Sequence, residues 1–221
     1  MRATEFWDQL TAEEAAALER VGRRREFRRG AVLLREAQVS GWVAVLRKGR
    51  VKVSVNTANG VEVVLAVRGP GALIGELSAI GRGPHSATVS ALEDVSALVV
   101  PVSAFEAYLQ QHGRVAFHLM RTLVSRLNDA DRKRIEFGAH DTTGRVAARL
   151  VEMVERFGEP TEDGVKIALP FTQDELAGWT GASREAVSKA LGVLRSAGEI
   201  RTGRMSVVVL DLPALRRRAA G

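Results

Sequence analysis

Apolar positions are spaced differently in the two halves of the chain, and the change falls near residue 102. Before it, short apolar runs are separated by glycines at 30, 41, 49, 60, 69, 71, 75, 81 and 83. Val43-Ala44-Val45-Leu46 is a continuous run, whereas Val51-Lys52-Val53-Ser54-Val55 alternates with period two. Such alternation predicts a strand with one buried face. Asn59-Gly60 separates it from the apolar residues 61–67 and predicts a tight hairpin turn on positive φ angles. Residues 87–92 and 97–100 predict two more strands. Several short strands with turn signals between them imply a sandwich or barrel. Ahead of them, Thr11 and Glu14 have capping-box spacing and open a short helix.

After residue 102 the apolar period becomes helical. Ser103 and Glu106 are spaced as a second capping box, for a helix ending near His112-Gly113. A long helix follows over 114–137, along which Ala116, Met120, Leu123, Leu127, Ala130 and Phe137 recur at heptad spacing. That stripe can pack on the chain's own barrel or on a second copy. The helix is longer than a small barrel can cover, which favours a dimer seam of Ala116, Met120, Leu123, Leu127 and Ala130. Arg121, Arg126, Arg132, Lys133 and Arg134 read as a solvated face. Residues 138–141 read as a hinge. Val146, Leu150, Met153, Val154 and Phe157 mark an amphipathic helix closed by Gly158, and 159–164 reads as a polar loop.

Residues 171–198 carry the densest set of signals. Thr172 and Glu175 form a capping box, and Leu176 and Ala177 face inward on a short helix. Gly181 follows four residues after the small Ala177, where a helix-turn-helix must turn sharply. Ser183 caps a second helix whose buried stripe is Val187, Ala190, Leu191 and Leu194. Arg184, Glu185, Ser188 and Lys189 then share the opposite face. Arginine can donate two hydrogen bonds to guanine and glutamate can accept from cytosine, so this face has the chemistry of major-groove reading. Residues 200–209 predict a strand-turn-strand wing with Arg201 and Arg204 toward its tip.

Charge sharpens this picture only through its placement. The chain carries 32 basic and 26 acidic residues, a net charge of +6, and the C-terminal residues 141–221 contribute only +1 of it. Within 184–218, however, eight basic residues face three acidic ones, a local excess of +5 that suits phosphate. Cysteine is absent, which excludes disulfides, thiolate zinc sites, a Cys nucleophile and Cys-ligated iron–sulfur clusters. No apolar run approaches the roughly 18 residues of a membrane span, and the first residues lack the apolar core of a signal peptide. The expected location is cytoplasmic.

In its order of parts the chain resembles the CRP/FNR family of bacterial transcription regulators, over about residues 6–212. Gly75-Glu76-Leu77-Ser78 with His85-Ser86-Ala87-Thr88 is similar to that family's phosphate-binding cassette, and residues 183–189 are similar to its recognition helix. The resemblance implies an α+β protein with four parts. These are a cyclic-nucleotide-binding-type β-roll (jelly roll) with flanking helices over 1–113, a dimerisation helix over 114–137, a hinge over 138–141 and a winged helix-turn-helix over 142–221. It implies that Gly75, Glu76, Leu77, His85, Ser86, Ala87 and Asp131 surround a cyclic nucleotide or other small effector. Glu76 would accept from a ribose hydroxyl, while Ser86 and amides near Gly75 and Ala87 would cradle phosphate. It also implies that Thr172, Ser183, Arg184, Glu185, Ser188, Lys189, Arg201 and Arg204 meet a palindromic TGTGA-like operator in duplex DNA. The partners would be a second copy of the chain and, for an activator, RNA polymerase.

Two departures bear on the effector. His85 stands where cyclic-AMP binders carry Arg, and Ala130-Asp131 stands where they carry a Thr-Ser pair that contacts adenine. A histidine near pH 7 lacks arginine's permanent forked charge, and Asp131 adds negative charge near an anion. Weak or absent cyclic-AMP affinity follows, with Arg82 the nearest candidate to compensate. Haem would need His85, His112, His118 or His140, which form no axial pair in the sequence pattern. The rival readings are a nucleotide sensor that regulates a protein partner and a cupin-like enzyme. Cupins group their metal-binding histidines, and the four histidines here are scattered, so we expect neither an enzyme nor a metal site. Residues 69–75 superficially suggest a dinucleotide loop, but Pro70 and a displaced third glycine mark turns instead.

Overall fold

The computed structural model describes residues 5–168, 172–203 and 206–220, apart from the side chains of Phe137 and Ala168. Two compact units partition these residues, one formed by 5–55 and 65–128 and the other by 56–64 and 129–220.

The first unit begins with α1 (Ala12–Val21), opened by the Thr11 and Glu14 capping box expected from the sequence. The strands β1 (Arg23–Phe27), β2 (Val32–Leu34), β3 (Trp42–Lys48), β4 (Val51–Asn56), β5 (Glu62–Arg68) and β6 (Leu73–Ile74) follow. Then come α2 (Glu76–Gly81), β7 (Thr88–Ala91), β8 (Val95–Pro101), α3 (Val102–Gln111) and the long α4 (Gly113–Ala139). Two four-stranded sheets result, with orders β1-β8-β3-β6 and β2-β7-β4-β5. Strand β3 is buried on both faces, which is why it reads as a continuous apolar run. Ala44 and Leu46 join Leu34, Val51, Ile74, Val89 and Ala97 in one core cluster. Val43 and Val45 join Phe6, Leu18, Phe105, Tyr108, Val115 and Leu119 in the other, under the helices. Arg114 ties α4 to α1 by pairing with the Glu14 carboxylate and donating to the Gln9 carbonyl at 3.0 Å. That guanidinium holds the Glu14 carboxyl down at about 2.

Three local expectations change. Asn59-Gly60 does not form a two-residue turn. The loop runs from Thr57 to Val61, whose backbone groups pair at 2.9 Å, and Gly60 takes a positive φ of 75° while Asn59 does not. Helix α3 opens at Val102 behind Pro101 without a side-chain cap, so the Ser103 and Glu106 box is not formed. The Val102 amide instead donates to the Gly41 carbonyl at 2.9 Å, and strand β8 passes straight into the helix. The interruption expected over 138–141 contracts to His140-Asp141, because α4 continues to Ala139.

The second unit is built on α5 (Thr142–Phe157), capped by Asp141, which accepts from the Gly144 amide at 2.7 Å. Next come β9 (Glu159–Thr161), β10 (Gly164–Ala168), α6 (Gln173–Thr180), α7 (Arg184–Ser196), β11 (Ile200–Gly203), β12 (Ser206–Val209) and α8 (Leu212–Ala220). The segment 159–164, expected as a polar loop, is in fact a hairpin that extends the sheet β11-β12-β10-β9. Its residues are polar because both faces of this edge are exposed, so composition gave no strand signal.

A buried ion network joins the end of α4 to α5. Arg149, only 5% exposed, pairs with Glu136 and reaches Glu152 at 2.7 Å. Lys133 and Arg156 also reach Glu152, at 3.3 and 3.5 Å, and Arg156 meets Asp129 at 3.4 Å. Burial alone would raise the Glu152 carboxyl, but Lys133, Arg149 and Arg156 outweigh it and hold it below the usual range. The expectation of a solvated face therefore fails for Lys133, whereas Arg132 stays exposed and pairs with Asp129 at 2.9 Å on the surface.

Removing one member of such a network strands the others in a poorly hydrated site. Arg149→Ala should cost about 3–5 kcal/mol in urea unfolding of the second unit. A loss below about 1 kcal/mol, the range of exposed pairs, would show that the network is solvated.

Candidate nucleic-acid interface and effector segment

The helix-turn-helix is assembled from the groups its sequence suggested. Thr172 accepts from the Glu175 amide at 3.2 Å, while the Glu175 carboxylate accepts from the Thr172 amide at 2.7 Å. Gly181 ends α6 with a φ of 60°, a conformation that L side chains rarely adopt. Ser183 then caps α7 by accepting from the Ala186 amide at 3.2 Å. Leu176, Ala177, Val187, Ala190, Leu191 and Leu194 are all buried and lock the two helices together. Sequence patterning missed Arg145, which lashes this motif to α5 by donating to the Thr180 carbonyl at 2.8 Å and the His140 carbonyl at 2.7 Å.

Arg184, Glu185, Ser188 and Lys189 all project into solvent from α7. The nearest partner of Arg184 is Asp174, at 3.7 Å with both side chains more than 60% exposed. Such a pair contributes little and is easily exchanged for a stronger acceptor. The Glu185 carboxyl is held below its ordinary range, first by its own backbone amide and then by the Ser183 hydroxyl. It is an ionised acceptor at neutral pH, the form needed to receive a base amino group. On the wing, Arg201 pairs with Asp163 at 2.7 Å, also in solvent, and Arg195 donates to Thr202 at 3.0 Å. Arg204 lies outside the described residues.

The segment 75–87 is organised differently from the sequence expectation. Gly75 takes a φ of 83° and turns the chain from β6 into α2. Glu76, 3% exposed, is engaged by Arg126 of α4 at 2.5 Å, and the same guanidinium donates to the Leu73 carbonyl at 3.0 Å. Arg126 is thus an internal partner of Glu76 and not part of a solvated face. His85 is 6% exposed, with Nε2 2.8 Å from the Ser40 hydroxyl. Burial pushes its pKa below the ordinary histidine value, opposed by the nearby Glu76 charge. Ala87 is buried, while Ser86 and Leu77 are exposed. Arg82 is exposed and 4.0 Å from Glu106. Asp131 belongs to the second unit, where it pairs with Arg134 at 3.9 Å.

The seam expected on α4 divides between two faces. Val115 and Leu119 are buried in the barrel core, and Leu123 packs against the same cluster. Leu123 thus continues the 115, 119 stripe against the barrel while remaining partly exposed. Ala116 is half-buried and Ala130 is exposed. Met120 and Leu127 remain exposed, joined by Phe117 and Val124, each more than half exposed. These four recur at three- and four-residue spacing and form one apolar face.

Residues 24–112 match the cyclic nucleotide-binding domain family and residues 144–218 match the Crp-like helix-turn-helix domain family. The chain is 30% identical over 194 residues to a CRP-like cAMP-activated global transcriptional regulator of Mycobacterium tuberculosis, covering 88% of this chain and 87% of the relative. The chain belongs to the CRP/FNR family. This CRP/FNR regulator is also 27% identical to the cyclic AMP receptor protein of Thermus thermophilus, over 100% of this chain and 99% of the relative. Among solved structures, FixK2 from Bradyrhizobium japonicum superposes with a TM-score of 0.81 at 23% identity, covering 91% of this chain and 98% of that one. No helix among the described residues is long and apolar enough to cross a membrane.

With its pKa depressed, His85 should be neutral at pH 7. An NMR titration should place its midpoint below the ~6.5 of a free histidine. A midpoint above that value would mean that the Glu76 charge outweighs burial.

Proposed function

We propose that this regulator acts as a cytoplasmic homodimer that binds palindromic duplex DNA and does so without needing cyclic AMP. The carrying observation for DNA reading is the exposed face of α7. There a loosely paired Arg184, an ionised Glu185, Ser188 and Lys189 stand over a fully buried stripe. Arg184 would fork onto guanine, Glu185 would accept from cytosine, and Lys189 would take a guanine or a phosphate. Thr172, Ser183, Arg201 and Arg204 would meet the backbone and fix the register. The half-site that the family resemblance implies for these residues is TGTGA-like. The exposed Phe117, Met120, Val124 and Leu127 face supports dimerisation through α4, with Met120 and Leu127 kept from the expected seam. Two-fold symmetry would then place the half-sites one helical turn apart. RNA polymerase would be a further partner if the protein activates.

The effector reading rests on charge. Two relatives are named for cyclic AMP, but here the phosphate-facing position is a buried histidine whose ring is held by Ser40. Arg82 is the one permanent cation in 75–87, and it stands in solvent beside Glu106. Glu76 spends its charge on Arg126. A cyclic phosphate would therefore meet little compensating charge, so the segment would take a different small effector or serve as a fixed scaffold.

Selection from a random duplex pool should recover a palindrome, and cyclic AMP should leave the affinity for it unchanged. Arg184→Ala should cost roughly 1–3 kcal/mol and relax the base preference at one position of each half-site. An unchanged selected motif in that variant would refute the assignment of α7 as reader. Separately, the Val124→Glu and Leu127→Glu double variant should sediment as a monomer with its barrel intact. A persistent dimer would move the interface elsewhere.

A further inference from the structure

Arg184 opens α7 directly behind the Ser183 cap, and Asp174 lies in the first turn of α6. Both belong to the second unit. The first turns of these two helices carry Asp174, Glu175 and Glu185, and the three carboxylates are engaged differently. Glu175 closes its own helix, accepting from the Thr172 amide at 2.7 Å and from the Thr172 hydroxyl at 3.3 Å. Glu185 is stabilised by its own backbone amide and by the Ser183 hydroxyl. Asp174 instead reaches across the turn to the next helix, with Oδ2 3.7 Å from Nη1 of Arg184.

A positive charge at position 184 stands against the local field. The amino end of a helix carries partial positive charge, which favours acids and disfavours cations. An arginine as the first residue of α7 therefore does nothing for that helix, and Asp174 is a carboxylate that offsets it. The pair contributes little to folding, since both side chains are more than 60% exposed. Its place in the motif matters more. In a helix-turn-helix the amino-terminal residues of the second helix meet base edges, while the first helix crosses the phosphate backbone. A carboxylate at 174 would then stand near phosphate, which it repels unless a cation screens it.

We infer that Asp174 is a positioning residue that aims Arg184 at its guanine and penalises binding through phosphate alone. The inference rests on the reading of α7 as the base-reading helix. Two effects act together. A free arginine arm loses rotamer freedom when it docks, and a carboxylate that already confines it lowers that cost. The guanidinium has five donors, so Nη1 can stay with Asp174 while the Nε and Nη2 edge is left for guanine O6 and N7. If the arm swings to a phosphate instead, Asp174 is left unscreened beside the anionic backbone. Discrimination then has a repulsive element as well as an attractive one. An acid that served only the dipole of α6 would affect the stability of that helix and not the choice of base.

The test measures the full-length protein on the duplex it selects from a random pool, on that duplex with single base pairs exchanged, and on an unrelated duplex. The pair read by Arg184 is located as the one where Arg184→Ala loses its preference. The wild type should bind the duplex exchanged at that pair roughly tenfold to a hundredfold more weakly, as for one mismatched pair. Asp174→Asn should melt close to the wild type and lose about threefold to tenfold of that discrimination, the effect of freeing one arginine arm. It should also bind the unrelated duplex about threefold tighter, as for one exposed charge, and discriminate normally at the other pairs. Asp174→Glu, which keeps the charge, should keep the discrimination. Full discrimination in Asp174→Asn would overturn the proposal. So would an equal loss at every pair, or an equal loss in both variants, each of which would assign Asp174 to the geometry of α6 alone. If Arg184→Ala alters no base preference, the reading of α7 itself falls, and this proposal with it.

Discussion

A helix beside a barrel can bury only the stripe that faces it, and the arrangement of this protein turns on how α4 spends its apolar residues. Val115, Leu119 and Leu123 enter or line the core beneath β3 and β8, together with Phe105 and Tyr108 of α3. That contact secures the helix to the barrel. It also leaves Phe117, Met120, Val124 and Leu127 exposed on another face. The same packing aims Arg126 inward, where it meets Glu76 at the start of α2. One packing choice thereby separates a structural stripe, an open apolar stripe and a cation facing the effector segment.

Charge is handled differently in different places. Where arginines are buried or half-buried they are paired, as in the Arg149 network and the Arg114 and Glu14 pair. Desolvating an unpaired charge costs far more than a pair returns, so burial and pairing go together. On α7 and the wing the ion pairs are solvent-exposed. Exposed pairs contribute little, so those cations can be redirected to phosphate or base edges at small expense. The chemistry available for recognition is the charge that folding did not consume.

The helix-turn-helix was legible because its signals are local. Capping by Thr172 and Ser183, the left-handed turn at Gly181 and the 3.6-residue stripe from Val187 to Leu194 each depend on residues within one or two turns. The alternation in β4 and the continuous run in β3 were likewise readable as one-sided and two-sided burial. Elements that depend on distant partners were not. Polar residues 159–161 became a strand because β10 offered a free edge. Ser103 lost its capping role because β8 ran directly into α3. The heptad pattern on α4 grouped Leu123 with Met120 and Leu127, because periodicity alone cannot say which of two adjacent stripes the barrel will claim.

The sequence by itself determined the order of parts, the exposed polar face of α7 and the exclusion of cysteine chemistry, since these follow from residue identity and short-range spacing. Tertiary structure decided which charges were already spent. Arg126 and Lys133 read as solvent-facing cations until Glu76 and Glu152 met them. His85 read as a weak phosphate ligand until burial lowered its pKa further and the Ser40 hydroxyl engaged its ring. The physical reason is range. Backbone conformation responds to neighbours a few residues away, whereas the state of a charged group depends on the dielectric and partners that folding brings from anywhere in the chain.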